Sequence, residues 1–329
     1  MTQVLIAGFG SIGRRHYQNL KSKGVSDFAF YRTHKSTLDD SQIEGYPVFH
    51  DLEKALEYDP DLVVVSNPTA FHLDVAIPAA YQGADILLEK PISDSLARIT
   101  DLRQAVEESG SKVLVGFQFR FHPGLKLIHN WLNEDLLGEI LFVRAHWGEF
   151  LPDWHPWEDY RESYSAKQNL GGGVVLTLSH PIDYLMWIFG DVKNLSAAAG
   201  EKNILGLEVE ELVNINLRFE SGLLADVHLN YLEQPARHTL EILGSLGQVS
   251  WDYQTGVLKR YLNQQKEWEL FPLPEGFSRN DLFLSEIDHF LRVNKNEEAP
   301  VCSLEDGVMV QKVLMEIKQK ITVGIPKKV

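Results

Sequence analysis

The apolar run Ile86-Leu87-Leu88 stops at Glu89-Lys90-Pro91. A buried strand that ends this way delivers an acid and an amine to one edge of a sheet, where a lysine can donate or accept a proton; the ordinary alternative is a charge solvated just past a strand end. His180 and Asp183 stand three positions apart in segment 174–189, whose apolar content and closing Gly190 suggest a helix with both side chains on one face. Such a pair can move a proton, with the carboxylate orienting or polarising the ring, or it can be an ordinary helix-surface pair. Pro181 has no N–H for the Thr177 carbonyl, so a continuous helix would bend there. Alternatively, Ser179 caps a new helix and Gly171-Gly172-Gly173 forms a separate turn. The spacing lacks the further ligands that zinc needs, and no metal is expected.

A second chemical signature lies at the start of the chain. Residues 4–7 form a short apolar run, Gly8-Phe9-Gly10-Ser11-Ile12-Gly13 follows, and 14–23 carries helix-forming residues. In a strand–turn–helix of this kind, Gly8 permits the tight turn, Gly10 lets backbone approach a pyrophosphate, and Gly13 allows close helix packing. The bare N–H groups of the loop and the helix dipole then stabilise the anion, which makes Gly8, Gly10, Ser11, Ile12 and Gly13 candidate dinucleotide ligands. The next strand, 27–31, runs into Arg32-Thr33-His34-Lys35, and no acid occurs before Asp39 to accept from an adenosine ribose. Arg32, supported by Thr33 and Lys35, suits the extra phosphate of NADP(H), so NADP(H) is expected to be preferred and NAD(H) to be possible. The competing assignment is a solvated basic turn.

The elements that must position these residues alternate. Strands at 47–49, 62–65, 85–88 and 112–116 are separated by helices at 52–58, 71–82 and 93–109, with Asp51 as a cap. Short continuous apolar strands between helices imply an α/β domain with a doubly wound parallel sheet, a Rossmann arrangement in which ligands lie beyond the carboxyl ends of the strands. Asn67, Pro68, Thr69, His72, Glu89, Lys90 and Gln118 all follow strand ends and are expected to face that crevice. Pro123 and Gly124 mark a boundary, giving a dinucleotide-binding domain over 1–122 and a second domain over 123–329, to which the family resemblance given below assigns substrate binding and oligomerisation. In the second domain, 139–149, 213–219, 223–229, 239–243, 249–253 and 257–261 read as strands, several with period-two alternation. They predict an α+β domain on a large, mostly antiparallel open sheet, partly covered by helices at 282–293 and 304–321.

Composition narrows the function classes. The 329 residues, 44% of them apolar, suffice for two cores. Acids outnumber Lys and Arg by 46 to 31, a net charge of -15 that argues against a nucleic-acid surface. No apolar run approaches the roughly 20 residues of a membrane helix, and Met1 leads directly into a strand-like segment, so no membrane span and no cleaved leader are expected. Cys302 is the single cysteine and has no disulfide partner in the chain, in keeping with a cytoplasmic protein.

Taken together and in order, the stretches 8–16 (GFGSIGRRH), 64–72 (VVSNPTAFH), Glu89-Lys90-Pro91, 115–123 (VGFQFRFHP), and Gly171-Gly172-Gly173 followed by His180-Pro181-Ile182-Asp183 resemble one family. It is the glucose-fructose oxidoreductase, inositol dehydrogenase and rhizopine-catabolism (Gfo/Idh/MocA) family, and the resemblance spans essentially the whole chain. It implies an NAD(P)-dependent oxidoreductase moving a hydride between the nicotinamide and a secondary alcohol or ketone of a sugar, cyclitol or nucleotide sugar. It also implies Lys90 as proton donor and acceptor, assisted by His180 with Asp183, and a homodimer or homotetramer formed through the second sheet. Many relatives place an aspartate shortly before the histidine, whereas this chain has Thr177, which cannot act as a charged base. The form seen here looks most like surface-sugar or nucleotide-sugar members. Trp154, Tyr160 and Arg161 lie in an aromatic segment suited to stacking on a sugar and contacting a phosphate or carboxylate, or to packing on itself or another subunit. Arg120 is divided between substrate contact and domain docking. Two other functions fit the same resemblance: a glycosidase using bound NAD for transient oxidation, and a noncatalytic dinucleotide-binding sensor. The Lys90–Pro91 bond is expected to be cis.

Overall fold

The computed structural model describes residues 2–33 and 41–324. The chain divides into two compact units, one comprising Met1–Gln118 and Ser278–Gln311, the other Phe119–Phe277 and Lys312–Val329. The first opens with β1 (Gln3–Ala7), α1 (Ser11–Ser22), β2 (Asp27–Tyr31), β3 (Val48–Phe49) and α2 (Leu52–Leu56). It continues through β4 (Leu62–Val65), α3 (His72–Tyr81), β5 (Asp85–Glu89), α4 (Ile99–Ser109) and β6 (Val113–Gly116). Its six strands are all parallel, in the order β3-β2-β1-β4-β5-β6, which is the doubly wound dinucleotide-binding arrangement. Helices on both faces leave no solvated side, so the middles of β1, β4 and β5 must be apolar; residues 4–7, 62–65 and 86–88 are fully buried. Register brings Ala7 opposite both Tyr31 and Val65, Val65 opposite Leu88, and Glu89 opposite Gly116, so these strands finish along one edge.

Local chemistry sets the helix ends. Asp51 caps α2 by accepting from the Lys54 amide at 3.0 Å. The expected helix over 93–109 is shorter, since Arg98 adopts a left-handed φ of 63° and α4 begins only at Ile99. The expected helix over 71–82 is a one-turn 3-10 segment, Thr69–Phe71, followed by α3.

The second unit contains α5 (Pro123–Asn133), β7 (Ile140–Phe150), α6 (Val174–Thr177), α7 (His180–Phe189), β8 (Val192–Ala199), β9 (Leu212–Phe219) and β10 (Leu224–Asn230). It is completed by β11 (Leu232–Gly244), β12 (Gly247–Asp252), β13 (Val257–Leu262) and β14 (Trp268–Pro272). Its eight strands run in the order β14-β13-β12-β11-β7-β10-β9-β8, antiparallel except where β7 lies parallel to β10. Strands β8 and β14 have no counterpart in the sequence expectations. On β9, Val213, Ile215, Leu217 and Phe219 are buried while Asn214, Asn216 and Arg218 are exposed, the alternation of a sheet with one packed face. The other face carries a polar chain running Asn214, His228, Asn230, Glu233, His146, with links of 2.5 to 3.1 Å.

Two helices close the chain, α8 (Arg279–Asn294) and α9 (Leu304–Gly324). The first was expected to cover the antiparallel sheet. Instead it packs in the first unit, where Asn280 and Asn19 exchange amide hydrogen bonds, Lys23 pairs with Asp288 at 2.6 Å, and Lys112 Nζ donates to the Val293 carbonyl at 2.8 Å. The first compact segment likewise ends at Gln118 rather than at residue 122. Among the described residues, no helix is long and apolar enough to cross a membrane.

His122 starts α5, where its Nδ1 accepts from the Gly124 amide at 3.0 Å, and burial pushes its pKa down to about 4. A histidine depressed in the folded state is neutral there while the unfolded chain takes up a proton, so its stabilisation is complete above about pH 6.5 and is lost as pH falls towards 4. That share is about 3 kcal/mol across the window. Urea titrations at pH 7 and pH 4.5 should therefore show a smaller loss of stability on acidification in His122→Asn, which keeps a capping oxygen, than in the wild type. An equal loss in both proteins would contradict the assignment.

Candidate active site

In the first unit, backbone geometry makes the loop after β1. Gly8 has a φ of 92°, and a Cβ there would come within 2.5 Å of the Asn67 amide nitrogen. A Cβ on Gly13 would collide with the Gly8 carbonyl and the Ser66 hydroxyl. Ser66 Oγ holds the loop by donating to the carbonyls of Ala7 and Gly8 at 3.1 and 2.9 Å. Gly10, by contrast, has open space around it and is the N-cap of α1, next to exposed Ser11 and half-buried Ile12. A bare backbone opening onto a helix N-terminus fits a dinucleotide pyrophosphate.

Around this loop lie the other candidate cofactor ligands. Arg32 is buried, its carbonyl accepts from His50 Nδ1 at 2.8 Å, and its guanidinium lies 5.8 Å from the Phe9 ring centre. Arg14 lies over the same ring at 4.6 Å, a second guanidinium for which the Arg14-Arg15 pair after Gly13 was the available signal. Thr33 is exposed, while Lys35 lies outside the described residues. Asn67 donates to the Phe71 carbonyl at 2.9 Å, and its buried Oδ1 has no hydrogen-bond partner among the described residues. Pro68 caps the 3-10 turn containing buried Thr69. Gln118 also buries an Oε1 without a described partner. Such oxygens are acceptors for a ligand's amide or hydroxyl groups.

His72 joins two of these strand-end turns. Its Nδ1 is 2.9 Å from the Pro91 carbonyl and its Nε2 3.0 Å from the Asn67 carbonyl. Burial pulls its pKa down, whereas Glu89 and the carbonyls pull it up. The Lys90–Pro91 peptide is cis, and Lys90 is partly exposed at the end of β5. Its backbone N–H donates to Glu89 Oε2 at 3.2 Å, while Glu89 Oε1 lies 2.7 Å from His16 Nε2. Burial alone would raise the Glu89 pKa, but the His16 hydrogen bond, with the electrostatic influence of His16, Lys90 and His72, holds it below the usual carboxylate range.

The candidates in the second unit gather at the break between α6 and α7. Of the two geometries expected there, the structure has the separate helix: α6 ends at Thr177, Ser179 is the N-cap of α7, and Pro181 sits in the first turn, where a missing N–H is harmless. The Ser179 hydroxyl makes no capping bond. Gly173, at a φ of 105°, turns the chain so that Val174 N donates to the Glu210 carbonyl and Val175 N to its carboxylate, which anchors the start of α6. His180 is buried with its ring against Phe119 and Trp147, centroids 4.9 and 5.5 Å away. Asp183 is fully buried and accepts from Arg120 Nη2 at 2.7 Å and Nε at 3.1 Å. Arg120 is thus committed to a buried, two-pronged ion pair.

Sequence reasoning passed over His238, which is fully buried on β11, stacked on Trp147 at 4.3 Å, with Nε2 3.3 Å from the Tyr184 hydroxyl. Its signal was a histidine at a buried position of an alternating strand. In the aromatic segment, Trp154 packs edge-on to Tyr231, and the Tyr160 hydroxyl donates to the Leu205 carbonyl at 3.1 Å. Exposed Arg161 lies over the Tyr160 ring and pairs with Asp159 at 3.4 Å. These contacts are local packing.

Comparison with known proteins places this geometry in a class. Residues 2–117 match the family model for the oxidoreductase family with an NAD-binding Rossmann fold, and residues 125–250 match the GFO/IDH/MocA C-terminal domain. The protein is an NAD(P)-dependent oxidoreductase, and its chain belongs to the Gfo/Idh/MocA family. It is 26% identical to the uncharacterized oxidoreductase YrbE of Bacillus subtilis, over 99% of this chain and 97% of that protein. Among solved structures, levoglucosan dehydrogenase in complex with NADH aligns at a TM-score of 0.85 and 18% identity, covering 98% of both chains. The WlbA dehydrogenase of Bordetella pertussis, in complex with NADH and UDP-GlcNAcA, aligns at 0.81 and 20% identity over 100% of this chain and 98% of that one.

The Arg120–Asp183 pair supplies a test of how α7 is held. Removing one partner leaves an uncompensated buried charge, so Arg120→Leu should destabilise the fold by about 3–5 kcal/mol in urea titration. A loss below about 1 kcal/mol would show the pair to be dispensable.

Proposed function

We propose that this chain reversibly oxidises a secondary alcohol on a sugar, cyclitol or nucleotide-linked sugar, with NADP(H) preferred over NAD(H), Lys90 moving the hydroxyl proton and His180 assisting. The observation that carries this reading is the placement of Lys90. It stands at the end of β5, on the strand edge that also bears the glycine loop, in a turn fixed through His72 and Glu89. Bound nicotinamide would supply or accept the hydride. As an ammonium, Lys90 donates to the carbonyl oxygen during reduction; as an amine, it takes the hydroxyl proton during oxidation. His180 hydrogen-bonds the reacting oxygen, with Asp183 and Arg120 holding the start of its helix. Thr177 offers the substrate a neutral hydroxyl.

The cofactor preference is supported by Arg32 and Thr33 directly after β2, with Lys35 following in the sequence and no acid before Asp39. The substrate class is supported by levoglucosan dehydrogenase and by WlbA, whose complex contains a nucleotide sugar. The exposed polar face of the second sheet would form a homodimer or homotetramer; sedimentation as a monomer at all concentrations would refute that part.

Fluorescence titration and turnover assays on wild type and Lys90→Ala test the reading. NADPH should bind both proteins more tightly than NADH, and the variant should lose at least about 100-fold in kcat while keeping its cofactor affinity. Wild-type turnover by Lys90→Ala would overturn the assignment of Lys90, and tighter binding of NADH would overturn the cofactor preference.

A further inference from the structure

Helix α8 carries a group to which the chemistry above gives no task. Glu286 is completely buried, and neither carboxyl oxygen has a hydrogen-bond partner among the described residues. Leaving a buried polar group in that state costs about 1–3 kcal/mol, and more if the group is charged. One turn earlier, Phe283 packs its ring on His16, with centroids 6.0 Å apart, and positions three apart share a helix face. The α1–α8 seam therefore brings Glu286 towards His16, and the negative charge of Glu89 acts on it as well.

His16 has the complementary deficiency. Its ring is fully buried and its Nε2 faces the Glu89 carboxylate, so that nitrogen carries the N–H. Nδ1 is buried without a described partner and, in a neutral ring with its proton on Nε2, is an acceptor. A protonated Glu286 is a donor that lacks an acceptor. Neither atom bonds the other directly, and one proton on Glu286, passed to Nδ1 through a single buried water, meets both needs. The two carboxyls are pushed in opposite directions: burial and the Glu89 charge drive Glu286 well above the usual range, whereas His16, Lys90 and His72 offset the effect of burial on Glu89 and hold it below. Divergence of this kind assigns the proton to Glu286 and the negative charge to Glu89.

We propose that Glu286 is a positioning residue: it holds a proton, hydrogen-bonds His16 Nδ1 through one buried water, and so keeps the His16 N–H on the Glu89 carboxylate beside Lys90. The chain Glu286–His16–Glu89 thus maintains a single, oriented negative charge at the base of the Lys90 turn. Its mechanistic consequence rests on the assignment of proton transfer to Lys90. Its charge state does not.

Two readouts separate these parts. The infrared difference between wild type and Glu286→Gln at neutral pH should contain the carbonyl stretch of a protonated carboxylic acid; taking the difference removes the contribution of Glu210, another carboxyl raised by burial. In turnover assays with NADPH, Glu286→Gln, which still offers an N–H donor, should keep kcat within about twofold and retain the wild-type pH profile. Glu286→Leu should lose about ten- to hundredfold in kcat and shift that profile, with little change in the cofactor KM. Absence of the acid band from the difference spectrum, or a Gln variant as impaired as the Leu variant, would overturn the proposal. If Glu286→Leu does not fold, the Gln variant decides the outcome through its spectrum and pH profile. Failure of the wild type to turn over any sugar would remove the proposed function while leaving the infrared result to decide where the proton lies.

Discussion

The hydrogen bond between Glu89 and His16 is the interaction on which the first unit's chemistry depends. It crosses from the end of β5 to α1, linking the strand that delivers Lys90 to the helix whose N-terminus faces the glycine loop. A carboxylate with so little exposure is tolerable only when its charge is met by donors, and those donors come from an imidazole and from the Lys90 amide itself. Ser66 and His72 add two further links, from β4 to the glycine loop and from the Asn67 turn to Pro91. The end of one strand thus cannot move without disturbing its neighbours, which is the condition for presenting a reacting group in one geometry.

The second unit solves a different problem. Its helix α7 begins within a stretch that is buried on all sides, where an unsupported helix start would leave amide groups without partners. Pro181 removes one such amide, the Glu210 carbonyl and carboxylate receive those of Val174 and Val175 at the start of α6, and Arg120 neutralises Asp183. His180 is then held among aromatic rings at a helix beginning. Within the HxxD spacing, the histidine packs on Phe119 and Trp147 and the aspartate is clamped by Arg120.

Much of the first unit was legible in the sequence because its strands are buried on both faces and therefore read as uninterrupted apolar runs. The glycine turn was legible for a related reason, since Gly8 and Gly13 occupy positions where any side chain would strike backbone. The fate of α8 was not. Its periodicity reveals that one face is buried but not which surface buries it, so a helix following strands in sequence was assigned to them instead of to the first unit. Strand β8 escaped notice because its sequence, Val-Lys-Asn-Leu-Ser-Ala-Ala-Ala, lacks a clean alternation, and β14 because it is a short edge strand. The pairing of Arg120 with Asp183 depends on tertiary approach, which spacing along the chain does not encode.

The central claim is that a redox reaction occurs on substrate at a site whose proton-transfer group is Lys90. It is tested most directly by single-turnover nicotinamide absorbance coupled to product analysis, screening cyclitols, free sugars and nucleotide sugars with each cofactor. One equivalent of cofactor should change oxidation state for each alcohol converted to ketone by the wild type, and the burst should collapse in Lys90→Ala. Substrate conversion without net change in the nicotinamide, or an undiminished burst in that variant, would contradict the claim.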